Sequence, residues 1–248
     1  MGNPTMFFEV AGPDDSALID FYTQLFGWKT SPIPGDMPYN MVTAGEGGAA
    51  GGIGPTPDGS QGHVTFYVGV DDVEAVLERA ASLGGSKVVG PMDVPGGQIG
   101  LLTDPEGHVI GLMTSDMQGN GGSAGNPVVW FEVIGKDADG LRTFYADLFG
   151  WKFDLMDEMD YGMVSADANG GGIPGGVGSG PDPSISYQTV YAGVDDVEGT
   201  LAKAESLGAK TVAPPMDLPA GGRIALFVDP QGHTFGLVKP PPESDYIN

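Results

Sequence analysis

The chain holds three histidines and no cysteine. Disulfides, thiolate ligands and a cysteine nucleophile are therefore excluded, and any metal centre would need imidazole and oxygen ligands. Two carboxylates stand out by their setting. Glu9 and Glu132 each interrupt an apolar run, Met6 to Val10 and Val128 to Val133, and a carboxylate buried in a strand must be paired, hydrogen-bonded or protonated. Each reads either as a polar anchor for a ligand or as a structural acceptor for neighbouring backbone and Tyr groups. Phe7, Trp130, Tyr67 and Tyr191 lie on similar runs and either line a ligand pocket or fill core. Gln98 and Arg223 occupy matching positions at strand starts, and Arg223 reads as an anion anchor or as the partner of a nearby carboxylate. His108 and His233 follow tight turns and are expected near a rim, in turn or strand-start roles.

The elements that must position these residues come in duplicate. Phe8-Glu9-Val10 recurs as Phe131-Glu132-Val133, and Leu25-Phe26-Gly27-Trp28-Lys29 as Leu148-Phe149-Gly150-Trp151-Lys152, both shifted by 123 residues. Gly69 to Glu74 recurs from Gly193 at a shift of 124, and Asp104-Pro105 with Gly107-His108 as Asp229-Pro230 with Gly232-His233 at 125. Such slow drift reflects single-residue insertions in loops between elements that keep register. The copies are expected over residues 1–118 and 128–240, with a linker at 119–127 within the Gly-, Asn- and Ser-rich run Ser115 to Pro127, and a tail at 241–248.

Within a copy, Leu18, Phe21, Tyr22, Leu25 and Phe26 fall at helical spacing between Asp14 and Gly27. A second helix follows Asp71, whose spacing to Glu74 suits a capping box. Strand composition marks Met6 to Ala11, Tyr39 to Thr43, His63 to Val70, Lys87 to Val89, Ile99 to Thr103 and Val109 to Met113, the last two joined by the Asp104-Pro105-Glu106-Gly107 turn. Each copy thus reads as two βαβββ units. The Gly-rich segments Gly47 to Gly54 and Gly170 to Gly178 weaken strands unless a ligand or the other domain approaches the backbone closely. They lack the strand-to-helix setting of a phosphate-binding loop.

Composition sets the outer bounds. The 248 residues include 43 Gly and 21 Pro, and ten Lys and Arg against 33 Asp and Glu leave a net charge of −23. That field repels nucleic acid and anionic membranes and attracts cations. No basic N-terminal region precedes an apolar stretch and no run reaches spanning length, so a cytoplasmic protein is expected.

With Phe21-Tyr22 to Leu25-Phe26-Gly27-Trp28, Val70-Asp71-Asp72-Val73 with Leu83-Gly84, and Asp104-Pro105-Glu106-Gly107-His108 recurring in the second copy, the last with Gln231 in place of Glu106, the chain resembles the vicinal oxygen chelate superfamily. That superfamily includes glyoxalase I, extradiol dioxygenases and bleomycin-resistance proteins. The resemblance implies an α+β fold of tandem glyoxalase-like domains, each made of two βαβββ units forming a curved-sheet cup. It also implies where metal ligands usually sit: Phe7 and Trp130 on the first strand, Thr65 and Thr189 on the central strand, Gly111 and Gly236 on the last, and Gly47 to Gly54 on the remaining strand. None carries a normal ligand. His63 lies two residues before Thr65 and Glu9 two after Phe7, so alternation keeps both on the cup side, with Glu132 and Tyr187 as their counterparts. The expected function is small-molecule binding in the cup without a cofactor. The alternatives are a divalent-metal-dependent lyase or dioxygenase with relocated ligands, and a degenerate interaction module. The expected partner is a small-molecule ligand, with neither nucleic acid nor membrane. The expected assembly is a monomer with intramolecular domain pairing or a homodimer.

Overall fold

The computed structural model describes residues 2–34, 38–56, 60–114, 125–156, 159–182, 184–219 and 221–241. The first copy runs β1 (Thr5–Gly12), α1 (Asp15–Phe26), β2 (Lys29–Pro32), β3 (Asn40–Thr43), β4 (Ala50–Pro55), then β5 (His63–Val70), α2 (Val73–Ser82), β6 (Ser86–Val94), β7 (Gly97–Thr103) and β8 (Val109–Thr114). The second repeats the order as β9 (Val128–Gly135), α3 (Ala138–Phe149), β10 (Asp154–Met156), β11 (Tyr161–Val164), β12 (Gly175–Ser179), β13 (Tyr187–Gly193), α4 (Val197–Ser206), β14 (Lys210–Asp217), β15 (Arg223–Val228) and β16 (Thr234–Lys239). Each copy therefore holds two βαβββ units and forms one eight-stranded sheet, ordered β2-β3-β4-β1-β5-β8-β7-β6 and β10-β11-β12-β9-β13-β16-β15-β14. The sheets are open, and the fold is α+β.

Local chemistry sets the helix limits. Asp14 accepts the Ala17 amide at 3.0 Å and Gly27, at φ 72°, ends α1 in the left-handed conformation that favours glycine. Asp137 and Gly150 do the same for α3. For α2 the cap is Asp72, which accepts the Ala75 amide, rather than the expected Asp71. The helix starts one residue later than the Asp71–Glu74 spacing implies, and Asp196 caps α4 in the same way. The short strands β2 and β10 were not expected from the sequence. Their residues are largely exposed, so no alternation of apolar and polar positions marks them.

Compaction does not follow the copies. One compact body takes β5–β8 with β9–β12, the other β1–β4 with β13–β16, the divisions falling inside β1, β5, β9 and β13. The repeated aromatic motif explains this exchange. In the second body Tyr22, Phe26 and Trp28 of the first copy pack on Phe235 of the second, with ring centroids 5.2, 5.5 and 6.2 Å apart. In the first body Phe66 packs against Phe131 at 4.5 Å and Trp151 at 6.4 Å. Each fully buried ring of this size contributes roughly 2–3 kcal/mol of transfer free energy. The indole N–H groups add direction: Trp28 donates to the Asn126 carbonyl and Trp151 to the Asn3 carbonyl, both at 2.7 Å. The Asn126 and Asn3 side chains then donate to Gly193 and Gly69.

Asn126 thus anchors the end of the expected linker, while Ser115 to Ala124 lies outside the described residues, as do 242–248 of the expected tail. Because each body needs half of each copy, residues 1–118 expressed alone should not form a folded monomer. Sedimentation should find them unfolded or self-associated, and a cooperative, monomeric 1–118 would contradict the exchange.

Candidate functional site

Glu9 points from β1 to the side opposite Phe8 and Val10, which are fully buried. Its carboxylate accepts the Tyr39 hydroxyl at 2.9 Å on one oxygen and faces His63 Nε2 at 3.0 Å on the other. The side chains keep 11% and 17% exposure for Glu9 and His63, so the cluster is sheltered without being sealed. Glu132 on β9 repeats the arrangement with a phenol in place of the imidazole: Tyr161 donates at 2.9 Å and Tyr187 at 2.7 Å. Burial, and after it the Glu132 charge, hold the Tyr161 phenol well above its usual range, against a smaller opposing hydrogen bond from Trp130. Trp130, Glu132, Tyr161 and Tyr187 all remain partly exposed.

The glycines decide how these phenols sit. A Cβ on Gly52 would lie 2.2 Å from the Tyr39 hydroxyl oxygen and one on Gly54 2.4 Å from its ring. Gly176 and Gly178 stand in the same relation to Tyr161, at 2.1 and 2.4 Å. The approach to these backbones expected from a ligand or the other domain is therefore made, along β4 and β12, by the protein's own tyrosines. The other-domain expectation applies only at the segments' leading ends. A Cβ on Gly48 would meet Val128 and one on Gly172 would meet Thr5, where the Ala49 amide bonds the Val128 carbonyl and the Ile173 amide the Thr5 carbonyl.

The usual ligand positions do not fit a metal. Phe7 packs edge-on to Tyr67 with centroids 5.7 Å apart. The Tyr67 ring lies 2.4 Å from where a Gly111 Cβ would stand, and Tyr191 covers Gly236 at 2.2 Å. Thr65 and Thr189 donate their hydroxyls to the Val109 and Thr234 carbonyls. Among the described residues no three His, Asp or Glu side chains gather as ligands would. Tyr67 and Tyr191 are buried, at 4% and 2% exposure, and pack as core. Gln98 donates to Asp93 at 2.8 Å, and Arg223 pairs with Glu198 and Asp217 at 2.6 Å each. For Arg223 the structure thus supplies the carboxylate partners.

His108 and His233 are not at a rim: they are 4% and 5% exposed. Asp104 accepts the Glu106 and His108 amides on one oxygen and, on the other, the Tyr145 hydroxyl at 2.8 Å and the His108 ring at 2.7 Å. Asp229 does the same with Gln231, His233 and Tyr22. The turn folds the ring back over its own Asp, four residues earlier, which is why neither histidine reaches solvent. Tyr39, Tyr161, Asp104, Asp229, Tyr22 and Tyr145 were not singled out from the sequence. The available signal was a Tyr preceding each Gly-rich strand and a buried helix Tyr whose hydroxyl requires a partner.

Gly52→Ala should displace Tyr39 and cost about 1–3 kcal/mol in urea unfolding, and in the Tyr39→Ala background the same change should cost clearly less. Burial lowers the His233 pKa, but the hydrogen bond and charge of Asp229 and the Gln61 carbonyl outweigh it and the net shift is upward from 6.5. A raised folded pKa stabilises fully below the unfolded value and fades as pH climbs through the folded one. The difference in melting temperature between wild type and His233→Gln should therefore shrink as pH rises above about 6.5.

Comparison with known proteins agrees with the fold. Residues 6–113 match a family model described as a glyoxalase-like domain, and residues 128–237 one described as the glyoxalase/bleomycin resistance protein/dioxygenase superfamily. CFP32 of Mycobacterium tuberculosis, provisionally named a glyoxylase, is 33% identical over 93% of this chain and 92% of its own. The anthracycline biosynthesis protein DauV of Streptomyces sp. is 26% identical over 94% of this chain and 92% of its own. Among solved structures, a Mn(II)-bound glyoxalase from Novosphingobium aromaticivorans is similar with a TM-score of 0.62, 16% identity, and coverage of 100% of this chain and 84% of that one. An extradiol ring-cleaving dioxygenase from B. fuscum reaches 0.67 at 13% identity, covering 99% and 75%. At these identities the structural likeness speaks for fold alone.

Proposed function

Because the chain belongs to the glyoxalase/bleomycin resistance protein/dioxygenase superfamily, we propose that it uses that fold's sheet face to bind a small cationic, planar molecule through a carboxylate held by phenols, in place of a metal centre. The observation that carries this reading is the pairing of tyrosine rings with glycines. Rings lie over the last-strand positions where the superfamily usually presents a ligand, and along β4 and β12, while Glu9 and Glu132 remain as the polar groups beside them. A carboxylate in a partly sheltered, aromatic setting attracts a cation more strongly than one in water. The net charge of −23 concentrates cations near the surface. The anthracycline names of the Streptomyces relatives suit a planar aromatic ligand class. The partial exposure of Glu132, Tyr161 and Tyr187 argues against a face wholly consumed as core. On this reading the protein is cytoplasmic, its partner is a small molecule, and it acts as a monomer or homodimer. Among the described residues no helix is long and apolar enough to cross a membrane.

Calorimetric titration with planar aromatic amines and matched carboxylic acids tests this. The amines should bind and the acids should not. Glu9→Gln or Glu132→Gln should weaken binding at the affected face at least about tenfold, which is about 1.4 kcal/mol. Prior treatment with a chelator should change nothing. Preference for the acids, or indifference to both substitutions, would overturn the reading.

A second reading, a metal-dependent lyase or dioxygenase with relocated ligands, is favoured by one observation: His63 and Glu9 meet at 3.0 Å. Their contact is with each other, and one imidazole and one carboxylate make a sparse donor set. Elemental analysis of protein purified without chelator distinguishes the two readings, since stoichiometric metal lost in His63→Ala would establish the second.

A further inference from the structure

The two Asp-His-Tyr networks match in every contact but one. In the second body His233 Nε2 meets the Gln61 carbonyl oxygen at 2.7 Å, whereas in the first His108 Nε2 meets the hydroxyl of Ser186 at 2.9 Å. A carbonyl can only accept, so His233, with a carboxylate on its other nitrogen, satisfies both partners only by donating from both. A hydroxyl can donate. With its proton on Nδ1 facing Asp104, His108 has a lone pair on Nε2 to receive one. Ser186 itself is exposed, while His108 and Asp104 are 4% and 2% exposed.

We propose that Ser186 is a nucleophile, activated by His108 and oriented through Asp104, that accepts an acyl group from small activated esters. The order of contacts is the one such chemistry requires: a hydroxyl on an imidazole nitrogen, and the other nitrogen on a buried carboxylate that fixes tautomer and ring orientation. Asp104 is fixed in turn by Tyr145 and by the Glu106 and His108 amides, so it cannot swing away from the ring. In the step itself the Ser186 Oγ–acyl bond forms as the ester C–O bond breaks. His108 Nε2 takes the serine proton and returns it to the departing alkoxide or phenoxide. Water then attacks the acyl-serine with the same base, releases the carboxylic acid and restores the hydroxyl.

The chain carries its own control. Ser184, also exposed and two residues earlier, bonds the Asp182 carboxylate at 2.8 Å. The whole protein is incubated with p-nitrophenyl acetate and mapped by peptide mass spectrometry. Acetylation should be at least about 100-fold faster at Ser186 than at Ser184, be accompanied by p-nitrophenolate release, and vanish as a hydrolytic activity in Ser186→Ala. His108→Gln should lower the Ser186 rate by a similar factor. Acetylation spread evenly over exposed hydroxyls, or a Ser186 rate unchanged in folded His108→Gln, overturns the proposal. Should that variant fail to fold, the ratio of Ser186 to Ser184 in the wild type decides it alone.

Discussion

A buried carboxylate at the heart of each compact body, Asp104 in one and Asp229 in the other, ties a turn of one sequence copy to a helix of the other. Each accepts two backbone amides from its own turn, the histidine ring four residues on, and a tyrosine hydroxyl from the opposite copy. A charge out of water is tolerated only when its oxygens are engaged, and a hydrogen bond to such a charged group is typically worth about 1.5–3 kcal/mol. The tyrosine cannot leave without that loss, so the α1 and α3 helices are held to the far copy's β-turns. Burial, and then the nearby Asp, keep the Tyr22 and Tyr145 phenols protonated well above their usual range, which keeps them hydrogen-bond donors to the carboxylate.

The same turns reach further. Glu106 accepts the Lys136 and Asp137 amides just before α3, and Gln231 brackets Asp14 before α1 with one bond each way. With the turns and helices fixed, the sheet strands β1 and β9 are fixed too, and Glu9 and Glu132 take their places beside the tyrosines seated on glycine. The faces are consequently similar in frame and different in chemistry. One carboxylate shares its proton acceptors between an imidazole and a phenol, the other between two phenols.

Much of this frame was legible in the sequence. The duplicated Leu-Phe-Gly-Trp motif, the helical stripe of α1, and the alternating runs of β1 and β5 follow from periodicity and capping, which are local and repeat at fixed spacing. Glu9, His63, Glu132 and Tyr187 were placed on one face by alternation alone, and they do meet there in pairs. What escaped was long-range. Tyr39 reaches Glu9 across 30 positions and Tyr22 reaches Asp229 across 207, and no window of sequence shows such contacts. His108 and His233 were misplaced at a rim because turn residues usually are exposed, whereas here the turn's Asp draws each ring inward. The edge strands β2 and β10 carry no apolar alternation, because neither is buried enough to need it.

The proposed role of the carboxylate–phenol clusters is to bind a cation where relatives of this fold hold a metal. A crystal structure of the protein soaked with a planar aromatic amine tests it most directly. The ligand's basic nitrogen should lie within hydrogen-bond distance of Glu9 or Glu132, with its ring beside Tyr39 or beside Trp130, Tyr161 and Tyr187. A metal ion ligated by Glu9 and His63, or a ligand bound away from both carboxylates, would contradict it.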